Sequence, residues 1–243
     1  MVNPEGSRNL SQELHIRKNI VHVLTARQME ILTGSILGDA YINPLGKICF
    51  EQSILQKDYL LWKFAELKNF AYPKIAKVVR LDKRTGHTTT SFRFFLKQFF
   101  RSWRECWYPQ GYKTIPDNLV KWFTPLSLAV WYMDDGHFYK GKTPLFASEC
   151  FSTNELNTII QILRKWNLES RLTRNNRLQI LQSSTSHFKR LVSPYIVESM
   201  RYKILDPVTT WDKLSQIGVI KNYAPITRQL PPKAGWRYSL KLK

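Results

Sequence analysis

Residues 32–40, LTGSILGDA, and residues 128–136, LAVWYMDDG, decide the fold of this chain. Each is a short apolar run that reads as part of a helix and ends in an acidic residue. In the first run, Gly34 and Gly38 lie four positions apart, so they share one helix face and leave it without side chains. Such a face allows a second helix to approach closely. We therefore predict that the two runs form a central pair of packed helices.

Both helices are expected to finish on carboxylates, Asp39 in the first and Asp134 and Asp135 in the second. A helix C-terminus carries partial negative charge, so an acid there costs about 0.3–1 kcal/mol. Two such acids brought together repel each other unless one is protonated or a metal ion lies between them. Mg²⁺ prefers oxygen ligands and often uses only one or two carboxylates. The sequence predicts a metal site at the helix ends; the alternative is two core helices whose terminal acids face water.

The two runs resemble the motifs of the LAGLIDADG homing endonucleases, in the branch whose single chain carries both motifs. The resemblance covers roughly residues 28–206 and includes both motifs, their separation and two later lysines. In that family the acid at the eighth motif position binds the catalytic metal. This implies that Asp39 and Asp135 bind Mg²⁺, with Mn²⁺ as a substitute. The second motif departs from the consensus at residues 130–134, so its helix face is less open.

The order of predicted elements occurs twice along the chain, which indicates an internal duplication. Each copy reads as a motif helix, a hairpin, an amphipathic helix, a second hairpin and a third helix, followed by a lysine. We expect an α+β fold of two pseudo-symmetric αββαββα halves, packed through the central helix pair, with the sheets forming a DNA-binding saddle. The predicted divisions are an N-terminal arm at 1–24, the first half at 25–116, the second half at 117–209 and a basic, proline-containing tail at 210–243.

Local signals in the second half mark the ends of several elements. Thr124 is expected to cap the second motif helix, with Pro125 in its first turn. Thr153 or Asn154 is expected to cap the following helix. The pair 175–176, Asn-Asn, tolerates the positive φ of a tight hairpin and should turn the last two strands.

Three further positions are candidates for the chemistry. Lys113, in YKTIP, and Lys203, in RYKIL, stand at matching places in the two copies, and the resemblance implies a basic active-site residue at each. A lysine near a metal-bound water can orient it or stabilise the transition state. The alternative is a lysine that only contacts phosphate or solvent. Glu51 resembles another polar active-site position, with Gln52 as its rival and Glu149 as a counterpart in the second half.

The second hairpin of each half carries the residues predicted to contact DNA. A two-stranded ribbon fits the major groove, where arginine reads guanine and glutamine reads adenine. Phosphate contacts from basic side chains would supply most of the affinity. The alternative is ordinary solvated sheet residues. The candidates are Lys83, Arg84 and Arg93 in the first half and Arg171, Arg174, Arg177 and Gln179 in the second.

The composition indicates a polyanionic partner. Lys and Arg number 37 and Asp and Glu number 18, which gives a formal net charge of +19 and favours nucleic acid over an anionic membrane surface. No apolar run reaches the roughly 18 residues that a membrane helix needs. The three cysteines have no CxxC spacing, which argues against a zinc site or a disulfide framework. The first residues resemble neither a secretory signal nor a transit peptide, so we expect synthesis in the compartment of action.

These observations favour site-specific, staggered double-strand cleavage of DNA by a monomer that uses a divalent metal. The resemblance adds intron mobility and an organelle genome, in a mitochondrion or a chloroplast. The main alternative is a maturase that binds its own intron RNA on the same scaffold, and a third possibility is a transcriptional regulator. The acids Asp39 and Asp135 favour the enzyme, because a protein that only binds gains nothing from acids facing a polyanion.

Overall fold

The computed structural model describes residues 23–139 and 142–205, which belong to one compact unit. The predicted arm, apart from residues 23 and 24, and the predicted tail at 210–243 lie outside the described residues. The order of elements confirms the predicted α+β fold of two αββαββα halves. Among the residues described, no helix combines the length and hydropathy needed to cross a bilayer.

Within the described residues, each half is built from three helices and four strands in the same order. The first half contains α1 (Ala26–Leu37), β1 (Tyr41–Ile42), β2 (Ile48–Ser53), α2 (Lys57–Glu66), β3 (Ala76–Leu81), β4 (Thr88–Phe95) and α3 (Arg101–Trp107). The second half contains α4 (Pro125–Asp135), β5 (Gly136–Tyr139), β6 (Thr143–Phe146), α5 (Thr153–Lys165), β7 (Ser170–Leu172), β8 (Leu178–Ile180) and α6 (Thr185–Val192). A 3₁₀ turn at Glu198–Lys203 follows in the second half.

The four strands of each half form one antiparallel sheet. The strand orders are β1-β2-β4-β3 and β5-β6-β8-β7, so the two hairpins of each half pair through β2 and β4 or through β6 and β8. Phe50 and Gln52 on β2 are buried on one face, and Glu51 is partly buried on the other. Helix α2 covers the buried face, where the Phe64 ring lies 5.3 Å from that of Phe94. The first sheet therefore leaves its other face partly exposed.

The motif helices α1 and α4 pack closely at the two glycines, as the sequence predicts. A Cβ atom added at Gly34 would lie 2.4 Å from the Ser127 carbonyl oxygen and 2.7 Å from Val130 Cβ. One added at Gly38 would lie 2.5 Å from Asp134 Cβ. The side chains of α4 thus occupy the space that the glycines of α1 leave. The close approach of the two helices depends on the absence of side chains at Gly34 and Gly38.

The second half tests three of the local predictions. Thr124 caps α4, because its Oγ1 accepts a hydrogen bond from the Ser127 amide at 3.3 Å. The prediction of Thr153 or Asn154 as the cap of α5 is wrong. Ser152 is the cap, since its Oγ accepts from the Glu155 amide at 3.3 Å while Glu155 Oε2 accepts from the Ser152 amide at 2.7 Å. Asn176 has a φ of 56°, as expected for the hairpin turn.

Candidate active site

The ends of α1 and α4 bring three acids together. Helix α1 ends at Leu37, with Gly38 as its cap and Asp39 directly after it, while α4 ends on Asp134 and Asp135. The backbone amide of Asp39 donates to Asp134 Oδ2 at 3.4 Å, which joins the two helix ends. Asp39 is exposed and Asp135 is partly exposed. Both predicted metal-binding acids therefore lie at the same crossing of the two helices.

The two predicted lysines lie against the ends of these helices. Lys113 Nζ donates to the Gly38 carbonyl at 2.7 Å, and Lys203 Nζ donates to the Asp134 carbonyl at 3.1 Å. Each of these carbonyls belongs to the residue directly before a predicted metal ligand. An ammonium group there offsets the negative end of the helix dipole. The lysines supply the positive charge that acids at two helix ends require.

Gln52, and not Glu51, lies beside the acids. Gln52 is 5% exposed, and its Nε2 donates to Asp39 Oδ2 at 3.1 Å and to Asp134 Oδ1 at 3.2 Å. Glu51 points to the opposite face of β2, because neighbouring residues in a strand alternate between faces. It accepts hydrogen bonds from Arg80 Nη2 at 3.0 Å and from Arg93 Nε at 2.7 Å. We therefore replace Glu51 by Gln52 as the polar neighbour of Asp39.

The charge state of Glu51 agrees with a role away from the acids. Burial alone would raise the pKa of Glu51, but hydrogen bonds from Arg80, Ser91 and Arg93 outweigh it and lower the pKa to about 2. A carboxylate that stays ionised to such low pH is unsuited to donating or accepting a proton near neutral pH. Its suggested counterpart, Glu149, is likewise paired with an arginine, Arg177.

A buried ion pair that was not predicted from the sequence lies beside the site. Lys63 Nζ donates to the two carboxylate oxygens of Asp134 at 2.7 and 2.8 Å, and the exposed fractions of the two side chains are 1% and 0%. Burial raises the pKa of Asp134, and the Lys63 ammonium opposes that change. One signal was available, because Lys63 stands at helical spacing from the buried residues Tyr59, Leu60 and Leu67.

The carboxylates at the helix ends can bind Mg²⁺ only if water and substrate provide the remaining ligands. In the part of the chain that the structure describes, no group of three or more His, Cys, Asp and Glu side chains can hold a metal ion. Mg²⁺ is commonly held by one or two carboxylates together with water and substrate phosphate. Asp39 and Asp135 provide such a minimal set, and the remaining ligands would come from water and the substrate.

Basic residues lie on the partly exposed face of the first sheet and at its hairpin tip. Arg80 and Arg93 lie on the face of Glu51 and are held by it. Arg80 was not among the predicted DNA contacts. Lys83 and Arg84 are exposed in the turn between β3 and β4, where Asp82 Oδ1 accepts from the Arg84 amide at 2.9 Å.

The second sheet carries an open groove of about 560 Å³ on the corresponding face. The four predicted residues of this half line it, namely Arg171, Arg174, Arg177 and Gln179. Arg171 Nε donates to Gln179 Oε1 at 3.1 Å, and Gln179 Nε2 donates to Thr143 Oγ1 at 2.9 Å. Arg177 pairs with Glu149. Arginines fixed by acceptors on the sheet thus recur in both halves.

Two αββαββα halves that share an acid-ended helix pair and carry arginines on both sheets define a LAGLIDADG-type protein. The chain belongs to the LAGLIDADG DNA endonuclease family, whose model matches residues 29–191. This match covers both motifs and most of the second half, and it confirms the resemblance seen in the sequence.

Relatives of this chain include a maturase and an endonuclease. Cytochrome b mRNA maturase bI2 of Saccharomyces cerevisiae is 29% identical to this chain over 81% of its residues. The match covers 51% of the maturase, so this chain spans about half the length of that relative. Probable intron-encoded endonuclease 1 of Wickerhamomyces canadensis is 30% identical over 75% of this chain and 85% of its own length. The solved structure of the homing endonuclease I-WcaI bound to its DNA recognition sequence matches with a TM-score of 0.68 and 27% identity, over 76% of this chain and 88% of that one.

Proposed function

We propose that this protein is a site-specific homing endonuclease that makes staggered cuts in both strands of DNA with a divalent metal ion. The observation that carries the proposal is the matched pair of helix ends. In the first half, Asp39 follows the end of α1, and Lys113 contacts the residue before it. In the second half, Asp135 is the last residue of α4, and Lys203 contacts the residue before it. Two matched sets suit a substrate with two scissile phosphates, one in each strand of a duplex.

Bound Mg²⁺, or Mn²⁺ as a substitute, would supply an activated water and stabilise the leaving oxygen of the phosphodiester. In this proposal Asp39 and Asp135 hold the ion, and Gln52 orients the Asp39 carboxylate through its 3.1 Å hydrogen bond. Lys113 and Lys203 stabilise negative charge that develops on the phosphate.

The sheets are proposed to bind the duplex. Arg80, Arg93 and Arg171 are each fixed by an acceptor on the sheet, which suits recognition of guanine in the major groove. Exposed basic residues at the hairpin tips, Lys83, Arg84 and Arg174, suit phosphate contacts. The DNA-bound state of the I-WcaI structure supports the same kind of target.

Intron mobility, an origin in a mitochondrial or chloroplast genome and a monomeric active form complete the proposal. The names of two relatives, an intron-encoded endonuclease and a cytochrome b mRNA maturase, support the first two. The presence of both motifs in one chain supports the third.

A second candidate function is assistance in splicing of its own intron RNA. It is favoured by relatives named as maturases, of which those of Saccharomyces cerevisiae and Debaryomyces hansenii are each 29% identical to this chain. Binding of RNA would use the basic surface and would not need Asp39 or Asp135. Loss of these acids should therefore separate the two activities, because it removes cutting and leaves splicing intact.

The test is incubation with the intronless host locus and Mg²⁺, followed by sequencing of the DNA ends. We expect staggered double-strand ends from the wild type and none from Asp39→Asn or Asp135→Asn, since each change removes a charged metal ligand. Both variants should bind DNA as well as the wild type or more tightly, because an acid that repels phosphate is gone.

Asp58→Asn, which changes an exposed acid in the first turn of α2, is the matched control and should cut normally. Wild-type cutting by either site variant, with binding unchanged, would refute the metal assignment. A wild-type protein that binds the locus without cutting it would favour the maturase.

A further inference from the structure

Asp39 is connected through Gln52 to a buried ion pair between Lys63 and Asp134. We propose that Lys63 and Asp134 are positioning residues for Asp39, acting through Gln52, and that they make the two strand cuts unequal. We call Lys63, Asp134, Gln52 and Asp39 the Lys63 network. The inference rests on the proposed endonuclease function and adds residues that control one of its two cuts.

The network begins at a lysine with a single fixed position. Lys63 comes from α2 of the first half, and its ammonium contacts both oxygens of Asp134, on α4 of the second half, at 2.7 and 2.8 Å. The Tyr59 ring lies 4.5 Å from Lys63 Nζ, and the Phe50 ring lies 5.8 Å from it. A buried ammonium enclosed by aromatic rings and a carboxylate has little freedom to move.

From Asp134 the network reaches Asp39 by two routes. Gln52 Nε2 donates to Asp134 Oδ1 at 3.2 Å and to Asp39 Oδ2 at 3.1 Å, so one amide group bridges the two acids. The backbone amide of Asp39 also donates to Asp134 Oδ2 at 3.4 Å. A side chain at Gly38 would collide with Asp134, so the missing side chain there leaves room for this carboxylate.

The corresponding positions of the second half hold no such network. Asp39 and Asp135 are 96 positions apart, and the same offset takes Lys63 to Ile159 and Gln52 to Ser148. Ile159 is apolar and fully buried. The Ser148 hydroxyl contacts the β7–β8 hairpin of its own half, since it donates to the Asn176 carbonyl at 3.1 Å and accepts from the Leu178 amide at 2.9 Å. The counterparts of Lys63 and Gln52 therefore do not repeat the Lys63 network beside Asp135.

Stability alone does not account for the ion pair. Apolar residues of similar volume often replace a buried ion pair with no loss of stability, because two charges must be removed from water to form it. Orientation offers a better account, since displacement of a reacting group by about 1 Å can cost about 10²-fold in rate. Lys63 and Asp134 touch neither substrate nor metal in this account and act through Gln52.

The test compares two double variants that remove the buried charges. Lys63→Met with Asp134→Leu replaces both charged groups by apolar side chains of the same or similar length and removes the acceptor for Gln52. Lys63→Met with Asp134→Asn keeps an acceptor oxygen. The measurement is single-turnover cleavage of a duplex labelled separately on each strand, with Mg²⁺ and saturating protein, together with thermal unfolding.

We expect the leucine variant to change the ratio of the two strand rates by about tenfold or more, because only the cut that depends on Asp39 loses its orientation. The asparagine variant should restore the ratio to near its wild-type value. Ile159→Ala, a packing defect at the matching position of the second half, is the control and should leave the ratio unchanged.

Equal slowing of both strands in the leucine variant would overturn the inference, and so would a similar change of ratio in Ile159→Ala. An asparagine variant that behaves like the leucine variant would also overturn it, because the hydrogen bond to Gln52 would then not matter. A wild-type protein that cuts neither strand would instead overturn the proposed function on which the inference rests.

Discussion

Each motif helix ends beside a carboxylate, which the negative end of the helix dipole repels. A lysine from a distant part of the same half offsets this repulsion. Lys113 reaches the Gly38 carbonyl and Lys203 reaches the Asp134 carbonyl, so the ammonium groups lie where the helix dipoles are negative. The same contacts keep two cations next to the proposed metal ligands. A single side chain in each half thus stabilises a helix end and, in the proposed function, would adjoin the reacting phosphate.

The lysine pair provides a prediction that separates catalysis from simple phosphate binding. In Lys113→Met with Lys203→Met, single-turnover cleavage at saturating protein should fall by about 10²-fold or more, because positioned acid–base or charge stabilisation is lost. Binding should weaken by no more than one or two phosphate contacts. Lys121→Met, at an exposed lysine, is the control and should cut normally. Normal cutting by the double variant, with a salt slope shallower by about 2, would show two phosphate anchors instead.

Glu51 provides a second prediction at the residue scale. Glu51→Gln adds one unit of positive charge, so binding to any DNA should tighten or stay the same, but Arg80 and Arg93 lose the carboxylate that fixes them. Discrimination between target and unrelated DNA should fall by about 1–3 kcal/mol for each guanine contact that is loosened. Because its pKa is lowered to about 2, Glu51 is ionised at neutral pH and only strong acid would mimic the variant.

The ratio of dissociation constants for target and unrelated duplexes is the measurement. Glu105→Gln, which removes an exposed acid on α3, makes the same change in net charge and should preserve the ratio. A Glu51→Gln ratio equal to that of the control would mean that the pairing does not contribute to base recognition.

At the scale of elements, the α1–α4 pair depends on the absence of a side chain at Gly34. Glycine to alanine inside a helix ordinarily gains roughly 0.5–1 kcal/mol. Here the new methyl group would lie 2.4 Å from the Ser127 oxygen, so we expect Gly34→Ala to lower the free energy of unfolding by about 1–3 kcal/mol. Urea denaturation measures this change. An unchanged or higher midpoint would mean that the helices can separate at no cost.

Elements were predictable where their signals are local. The repeated order of helices and hairpins, the Thr124 cap and the Asn176 turn all follow from residues close together in sequence. The cap of α5 was placed one or two residues late, although the spacing of Ser152 and Glu155 in STNE is the local signature of a capping box.

The parts of the site that sequence reasoning missed depend on contacts between distant residues. Whether Glu51 or Gln52 faces the acids depends on how β2 pairs with β4, and adjacent residues on a strand look equally suitable. Lys63 is recognisable as a lysine on an apolar helix face, but its partner Asp134 lies 71 positions away in the other half.

At the scale of the whole molecule, the formal net charge of +19 predicts a steep dependence of DNA affinity on salt. If the protein neutralises about six to ten phosphates, affinity should fall by about 10³–10⁵ between 50 and 200 mM salt. Titration of a labelled duplex at several salt concentrations measures the slope. A flat curve would argue against an interface dominated by phosphate and against nucleic acid as the reason for the charge.

The ion pair between Lys63 and Asp134 also limits how the protein can be recombined. Its cation belongs to the first half and its anion to the second, so the two halves are not independent modules. A chimera that joined one of them to a foreign half would bury either a lysine or an aspartate without its partner, at a cost of about 3–5 kcal/mol. Exchange of halves to redirect target choice therefore requires that Lys63 and Asp134 be transferred, or removed, together.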